Sequence, residues 1–205
     1  MDTQHPLLPN GYSTVPAGKI ANVETHLEML AKPSLKSLQR ADASLSLERW
    51  QSPGTDEYRS LFRAVGEEWM WTSRLVMADD KLAAILSDPL VEIYRLMDGD
   101  RPAGLLELDF HTSGECELAF FGLVSSTIGK GAGRFMMNRA IDRAWSQQIQ
   151  RFWVHTCTHD SQGALSFYCR SGFTPFAIKV EVTDDPRITG VIRRDAAPHV
   201  PLIEV

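Results

Sequence analysis

The stretch SSTIGKGAGRF, Ser125 to Phe135, carries three glycines within five residues: Gly129, Gly131 and Gly133. It follows the apolar run ECELAFFGLV (Glu115–Val124) and precedes RFMMNRAIDRAWSQQI, whose apolar residues recur at helical spacing. Strand, glycine turn, helix is an anion-binding arrangement. N–H groups of a first helical turn have no intrahelical partner, and the helix dipole favours negative charge there. Ordering glycine is costly, so its density here implies close approach of a ligand to the backbone. Lys130 and Arg134 add positive charge.

Working outward, residues 1–18 hold several prolines and small polar residues and read as a flexible arm, with one domain over 19–205. IANVETHLEML (Ile20–Leu30) fits an edge strand or a short helix, and KPSLKSLQRADAS a connector. LSLERW (Leu45–Trp50) alternates as a strand. Tyr58, Leu61, Phe62, Val65 and Trp69 mark a helix with Thr55 as its cap, and ADDKLAAILSD a second from Asp79. VEIYRLM and GLLELDF flank an Asp-Gly turn, as a hairpin does. RFWVHTC reads as a buried strand. HDSQGALSFYCRSGF reads as a helix capped by Asp160 or Ser161 and stopped by Gly172. Phe176, Ile178, Val180 and Val182 share one face of a strand, and the tail HVPLIEV fits a last one. The order predicts an α/β fold, a mixed central sheet flanked by helices.

The chain has 205 residues, 43% hydrophobic and 23% charged, with a net charge of -5. That suits a globular protein and disfavours sequence-independent nucleic-acid binding. Three cysteines, Cys116, Cys157 and Cys169, form no disulfide framework. No basic and apolar leader opens the sequence, and no apolar run is long enough for a membrane span. The expectation is a cytoplasmic protein without membrane or nucleic-acid partners.

Three phosphate loops compete for the glycine stretch. A P-loop, GxxxxGK(S/T), fails because its first glycine falls on Val124 and Gly131 follows Lys130. A Rossmann GxGxxG fails at its third glycine, where Arg134 stands, and the stretch lies late in the chain. IGKGAG fits a third pattern: Arg or Gln, two free residues, Gly, one free residue, Gly or Ala. Only its first residue, Ile128, departs. Further on, Ala164, Phe167, Tyr168, Gly172 and Phe173 match a second signature, with Ser161 where it has Asn. Together, over roughly residues 45–185, these resemble the GNAT superfamily of N-acetyltransferases.

That resemblance implies splayed parallel strands holding the cofactor, here ECELAFFGLV and RFWVHTC. It implies acetyl-CoA as cosubstrate, no metal, and direct acetyl transfer to an amine on a small molecule or peptide. A strand-mediated homodimer is compatible with it. By motif position, the backbone of Phe121, Gly122 and Leu123 pairs with the pantetheine arm, and an N–H near Leu123 polarises the thioester. Ile128, Gly129, Lys130, Gly131, Ala132, Gly133 and Arg134 cradle the pyrophosphate, and Ser161 and Tyr168 complete the cofactor side. Tyr168 is the expected proton donor to the leaving thiolate. Glu117, sharing a strand face with Ala119 and Phe121, is the expected base. Glu107 and Asp109 on the neighbouring strand are candidates to act as a base or to hold a cationic amine, and Trp71 and Arg74 either pack in the core or line the acceptor pocket. Gly122 inside its strand suggests a bulge or a close backbone approach. His155, Cys157 and His159 would share a strand face but lack a fourth ligand for a structural zinc site. An acyl-CoA sensor without turnover, and more distantly a dinucleotide-dependent oxidoreductase, are the alternatives.

Overall fold

The computed structural model describes residues 7–35 and 44–204. Much of the connector, and the first residues of the arm, therefore lie outside the described residues. The strands are β1 (Lys19–Met29), β2 (Leu45–Arg49), β3 (Val91–Asp98), β4 (Arg101–Asp109), β5 (Glu115–Leu123), β6 (Arg151–Cys157) and β7 (Thr174–Asp184). They form one seven-stranded sheet in the order β2-β3-β4-β5-β6-β1-β7. Every neighbouring pair is antiparallel except β5 and β6. A parallel pair needs a crossover, and helix α4 (Ala132–Ala144) supplies it. The remaining helices are α1 (Thr55–Gly66), α2 (Ser73–Val76), α3 (Asp79–Ser87) and α5 (Ala164–Ser171). None is long and apolar enough to cross a membrane.

The sheet carries a core on each face. On one, Phe135, Met136, Ala140 and Ile141 of α4 pack on Leu106, Leu108 and Leu118, with Tyr168 of α5 alongside. On the other, Tyr58, Phe62 and Val65 of α1 and Leu82 and Leu86 of α3 pack on Val91, Ile93 and Leu105. These are the 3.6-residue stripes and alternate strand positions that the sequence shows.

Several local expectations are corrected. β1 is neither an edge strand nor a helix: it lies between β6 and β7, paired along its length. Thr55 begins α1 rather than capping it, because Gly54 holds the extended N-cap conformation. Neither Asp160 nor Ser161 caps α5. Its N-cap is Gly163, while the Asp160 carboxylate accepts from the Thr156 hydroxyl and the Cys157 N–H at the end of β6. β6 is buried on one face only; Arg151, Trp153 and His155 face an open side.

The tail forms no strand among its described residues. The segment after β7 instead folds over one end of the sheet, where Ile192, Ala196, Ala197 and Val200 cover Ile20 and Met70. A buried arginine organises it. Arg187 grips the Asp185 carboxylate at 2.7 and 3.0 Å and donates to the carbonyl of Val200 at 2.8 Å. Asp185 and Arg187 are only 1% and 5% exposed. Arg193 adds a bond to Glu67 at 2.8 Å, just past α1.

Removing one partner of a buried ion pair leaves the other charge uncompensated. Arg187→Met is therefore expected to cost about 3–5 kcal/mol in urea unfolding. A loss below about 1 kcal/mol would show that the segment does not depend on this pair.

Candidate active site

β5 and β6 pair at Glu115↔Arg151, Cys116↔Phe152 and Glu117↔Trp153, and then part. A cleft of about 1100 Å³ opens where they diverge. One wall is β5 from Glu117 to Leu123, the other Val154, His155 and Cys157 of β6, and the cleft extends onto β1 and β7.

The β4–β5 register explains the divergence. Asp109 pairs with Glu117 and Leu108 with Leu118, but Glu107 pairs with Phe120, so Ala119 is an extra residue, a bulge. A bulge bends its strand and raises the local twist. It also reverses the side-chain alternation beyond it. Phe120, not Phe121, shares the face of Glu117, and Phe121 turns to the opposite face, onto Phe167 (5.8 Å) and Tyr168 (6.3 Å). Gly122 is not the bulge. A Cβ there would lie 2.4 Å from Val65 Cγ1, so glycine admits α1 and Trp71 against the strand.

The glycine loop sits at the cleft's second end. Gly129 and Gly131 have φ of 88° and 82°, the left-handed region that side chains avoid. No side chain caps α4, so its first-turn N–H groups are left for another acceptor. Ile128, Gly129, Gly131, Gly133 and Arg134 line the cleft; Lys130 is exposed and Ala132 buried, and neither side chain lines it. The Ile128 N–H is used within the loop, to the carbonyl of Ser125. Arg134 lies over the Phe167 ring and bonds Ser171 Oγ at 2.9 Å. Burial, and then the charge of Arg170, lower its pKa. Arg170, also in the cleft lining, carries no motif signal beyond its place on α5.

Glu117 faces the cleft. Burial, then the charges of Asp109 and Glu107, push its pKa up to about 7 against the pull of Arg74. His155 Nδ1 stands 3.8 Å from its carboxylate. Asp109 lines the cleft, while its carboxylate holds His111 at 2.7 Å. Glu107 does not reach the cleft. It is fully buried, accepts from the Tyr58 hydroxyl at 2.6 Å and pairs with Arg74 at 2.5 Å. Its expected contact with an acceptor is corrected to a buried role under α1. Arg74 and Trp71 both line the cleft, with Arg74 over Phe120 and Trp71 packed on Phe62 and Phe120.

Across the gap, Tyr168 is 8% exposed and borders the cleft, its pKa raised by burial and then by the charge of Asp160. Ser161 lines the same wall. His155, Cys157 and His159 all line the cleft, His159 from the turn beyond the end of β6. Among the described residues, no three His, Cys, Asp or Glu gather as metal ligands. The sequence reading missed Asn22, Glu24, Glu181 and Asp184, which form the cleft's far wall. Only the sheet order brings these ends of the chain to the site.

The family model described as the acetyltransferase (GNAT) family matches residues 47–173. A search among curated proteins finds no match. Solved structures share the fold at low identity. An aminoglycoside acetyltransferase from an uncultured soil metagenomic sample superposes with a TM-score of 0.53 at 13% identity, covering 64% of this chain and 89% of that one. A functionally unknown protein from Staphylococcus epidermidis gives 0.59 at 14%, covering 82% of this chain, which spans 64% of its partner's length. A GCN5-related N-acetyltransferase from Sphaerobacter thermophilus gives 0.57 at 11%, covering 90% and 54%.

A carboxyl whose folded pKa lies above its unfolded value binds a proton that the unfolded chain has released. Stability contributed this way is full below the unfolded pKa and falls as pH rises through the folded pKa. For Glu117 that window runs from about 4.5 to about 7. Glu117→Gln is therefore expected to be more stable than the parent above pH 7, by on the order of 2–3 kcal/mol, with the gap closing toward pH 4.5. Urea midpoints at pH 5 and 8 check this; a pH-independent difference refutes it.

Proposed function

The chain belongs to the acetyltransferase (GNAT) family, and we propose that it transfers an acetyl group from acetyl-CoA directly to a primary amine. The observation that carries this reading is the parting of β5 and β6 after Glu117↔Trp153. It leaves a strand edge without a strand partner beside a carboxyl poised near neutrality. Such an edge has N–H and C=O groups to offer, and a pantetheine arm has the amides to meet them.

The residues fit the cosubstrate. The uncapped start of α4 and the glycine loop suit a pyrophosphate, with Arg134 and Arg170 beside it. The two arginines repel each other, a cost that an anion between them relieves. Ile128 offers no side-chain bond, so this binding rests on backbone N–H groups and the two guanidiniums. Phe121 to Leu123 would pair with the arm, and an N–H near Leu123 would polarise the carbonyl. Bound acetyl-CoA supplies the reactive thioester.

Glu117 takes the proton that the acceptor amine must lose to attack. A base with a pKa near the working pH combines a sizeable ionised fraction with sufficient basicity. Tyr168, protonated throughout the physiological range, gives the departing sulfur a hydroxyl donor from the opposite wall. Arg74 is tied to Glu107, so it moderates Glu117 without neutralising it.

Thiol release from acetyl-CoA with an amine panel tests the reading. kcat/KM is expected to fall about tenfold per pH unit below about 7. Asp109→Asn should move that limb to lower pH by removing a like charge. Tyr168→Phe is expected to lower kcat by on the order of 10²-fold. Binding of CoA with no thiol release from any amine would point instead to a sensor.

A further inference from the structure

We propose that His155 carries the proton of Glu117 out of the cleft, so that the two side chains work as a base and its relay. This rests on the acetyl-transfer reading and adds a residue to it. Acetyl-CoA and an ammonium group yield an amide, the CoA thiol and a free proton. That proton must leave the cleft at every turnover, while cosubstrate and acceptor stand between Glu117 and water.

The strand register places His155 for this task. Glu117 on β5 is opposite Trp153 on β6, and His155 is two residues further on, so all three share a face. His155 Nδ1 lies 3.8 Å from Glu117 Oε1. That is about 1 Å beyond a hydrogen bond, a gap that a small side-chain rotation closes, as catalytic contacts do when a ligand binds. The His155 side chain is 41% exposed against 26% for Glu117, so it joins the carboxyl to solvent. Its ring lies 6.5 Å from that of Trp153 and 5.5 Å from that of His26, which limit its swing.

The other groups around Glu117 are committed elsewhere or cannot accept a proton. Asp109 is held by His111 at 2.7 Å. Glu107 is buried and bonded to Tyr58 and Arg74, and an arginine only donates. On the far side of His155, β1 presents His26, whose pKa is lowered by burial and then by the charge of Lys179 on β7, and which bonds Glu24 at 3.1 Å. A neutral His26 neither competes for the proton nor repels the imidazolium.

The steps balance. The Glu117 carboxylate takes a proton from the acceptor nitrogen, breaking N–H and forming O–H. The carboxyl passes it to His155 Nδ1, and the imidazolium so formed releases its Nε2 proton to water. Exchange with water then restores the tautomer with a free Nδ1 lone pair. An imidazole ordinarily changes charge between about pH 5 and 8, which matches a carboxyl poised near 7.

Thiol release by His155→Gln at low buffer concentration tests this. kcat is expected to fall about tenfold with KM for acetyl-CoA unchanged, and added imidazole should restore the rate, which it would not do for a merely structural defect. Thermal unfolding checks that the variant folds. In the parent saturated with CoA, the His155 ring nitrogens followed by NMR should record the titration of Glu117 near pH 7 and lose that inflection in Glu117→Gln. A parental kcat in His155→Gln, a loss that imidazole does not restore, or His155 signals indifferent to Glu117→Gln each overturn the relay and leave the transferase standing. A parent that releases no thiol with any amine refutes the transfer reading, and the relay with it.

Discussion

Backbone hydrogen bonding between two parallel strands stops after three residue pairs, and the rest of the site depends on that stop. Interior backbone groups are rarely left unpaired, so a parting in the middle of a sheet needs structural support. Here aromatic side chains brace both faces. Phe62, Trp71 and Phe120 pack together on one, with Val65 pressed over Gly122. Phe121, Phe167 and Tyr168 pack on the other, continuing through Phe173 to Phe152. The Ala119 bulge lets consecutive phenylalanines serve opposite faces. The gap is thus held by packing, between two strands that do not pair beyond Glu117↔Trp153.

Charge is divided along the same gap. Glu107 would join Glu117 and Asp109 as a third cleft carboxylate, but Tyr58 and Arg74 bury and pair it under α1. Its charge still acts through the strand on Glu117, as do the burial of Glu117 itself and the charge of Asp109. One buried pair therefore anchors α1 and α2 to β4 and helps keep a neighbouring carboxyl near neutrality. At the loop end the sign reverses, with Arg134 and Arg170 beside the uncapped start of α4.

Much of this was legible in the sequence because it is local. The glycine loop, the α5 signature and the alternation of β5 and β6 each declare themselves within about a dozen residues, and they identify the fold and its splayed pair. The bulge was not legible: nothing in ECELAFFGLV says that Ala119 is the unpaired residue, and it decides which of Phe120 and Phe121 faces Glu117. Glu107 reads like any alternating strand carboxylate until Arg74, far off in sequence, is brought onto it. The C-terminal segment looked like a strand because its apolar residues cover a sheet end without joining the ladder.

The two walls of the cleft also differ in where they come from. The family match spans residues 47–173, and the loop, β5, β6 and α5 all lie inside it. Asn22, Glu24, Glu181 and Asp184 lie outside, on β1 and β7. β1 enters between β6 and β7, so chain that precedes the matched region reaches the site from its middle rather than its edge. Arg187 and Asp185 then hold the C-terminal segment across the end of those strands. Asn22 and Glu181, hydrogen-bonded at 3.0 Å across β1 and β7, therefore stand on a wall that the family match does not reach, and that wall is built by long-range strand pairing rather than by any local motif.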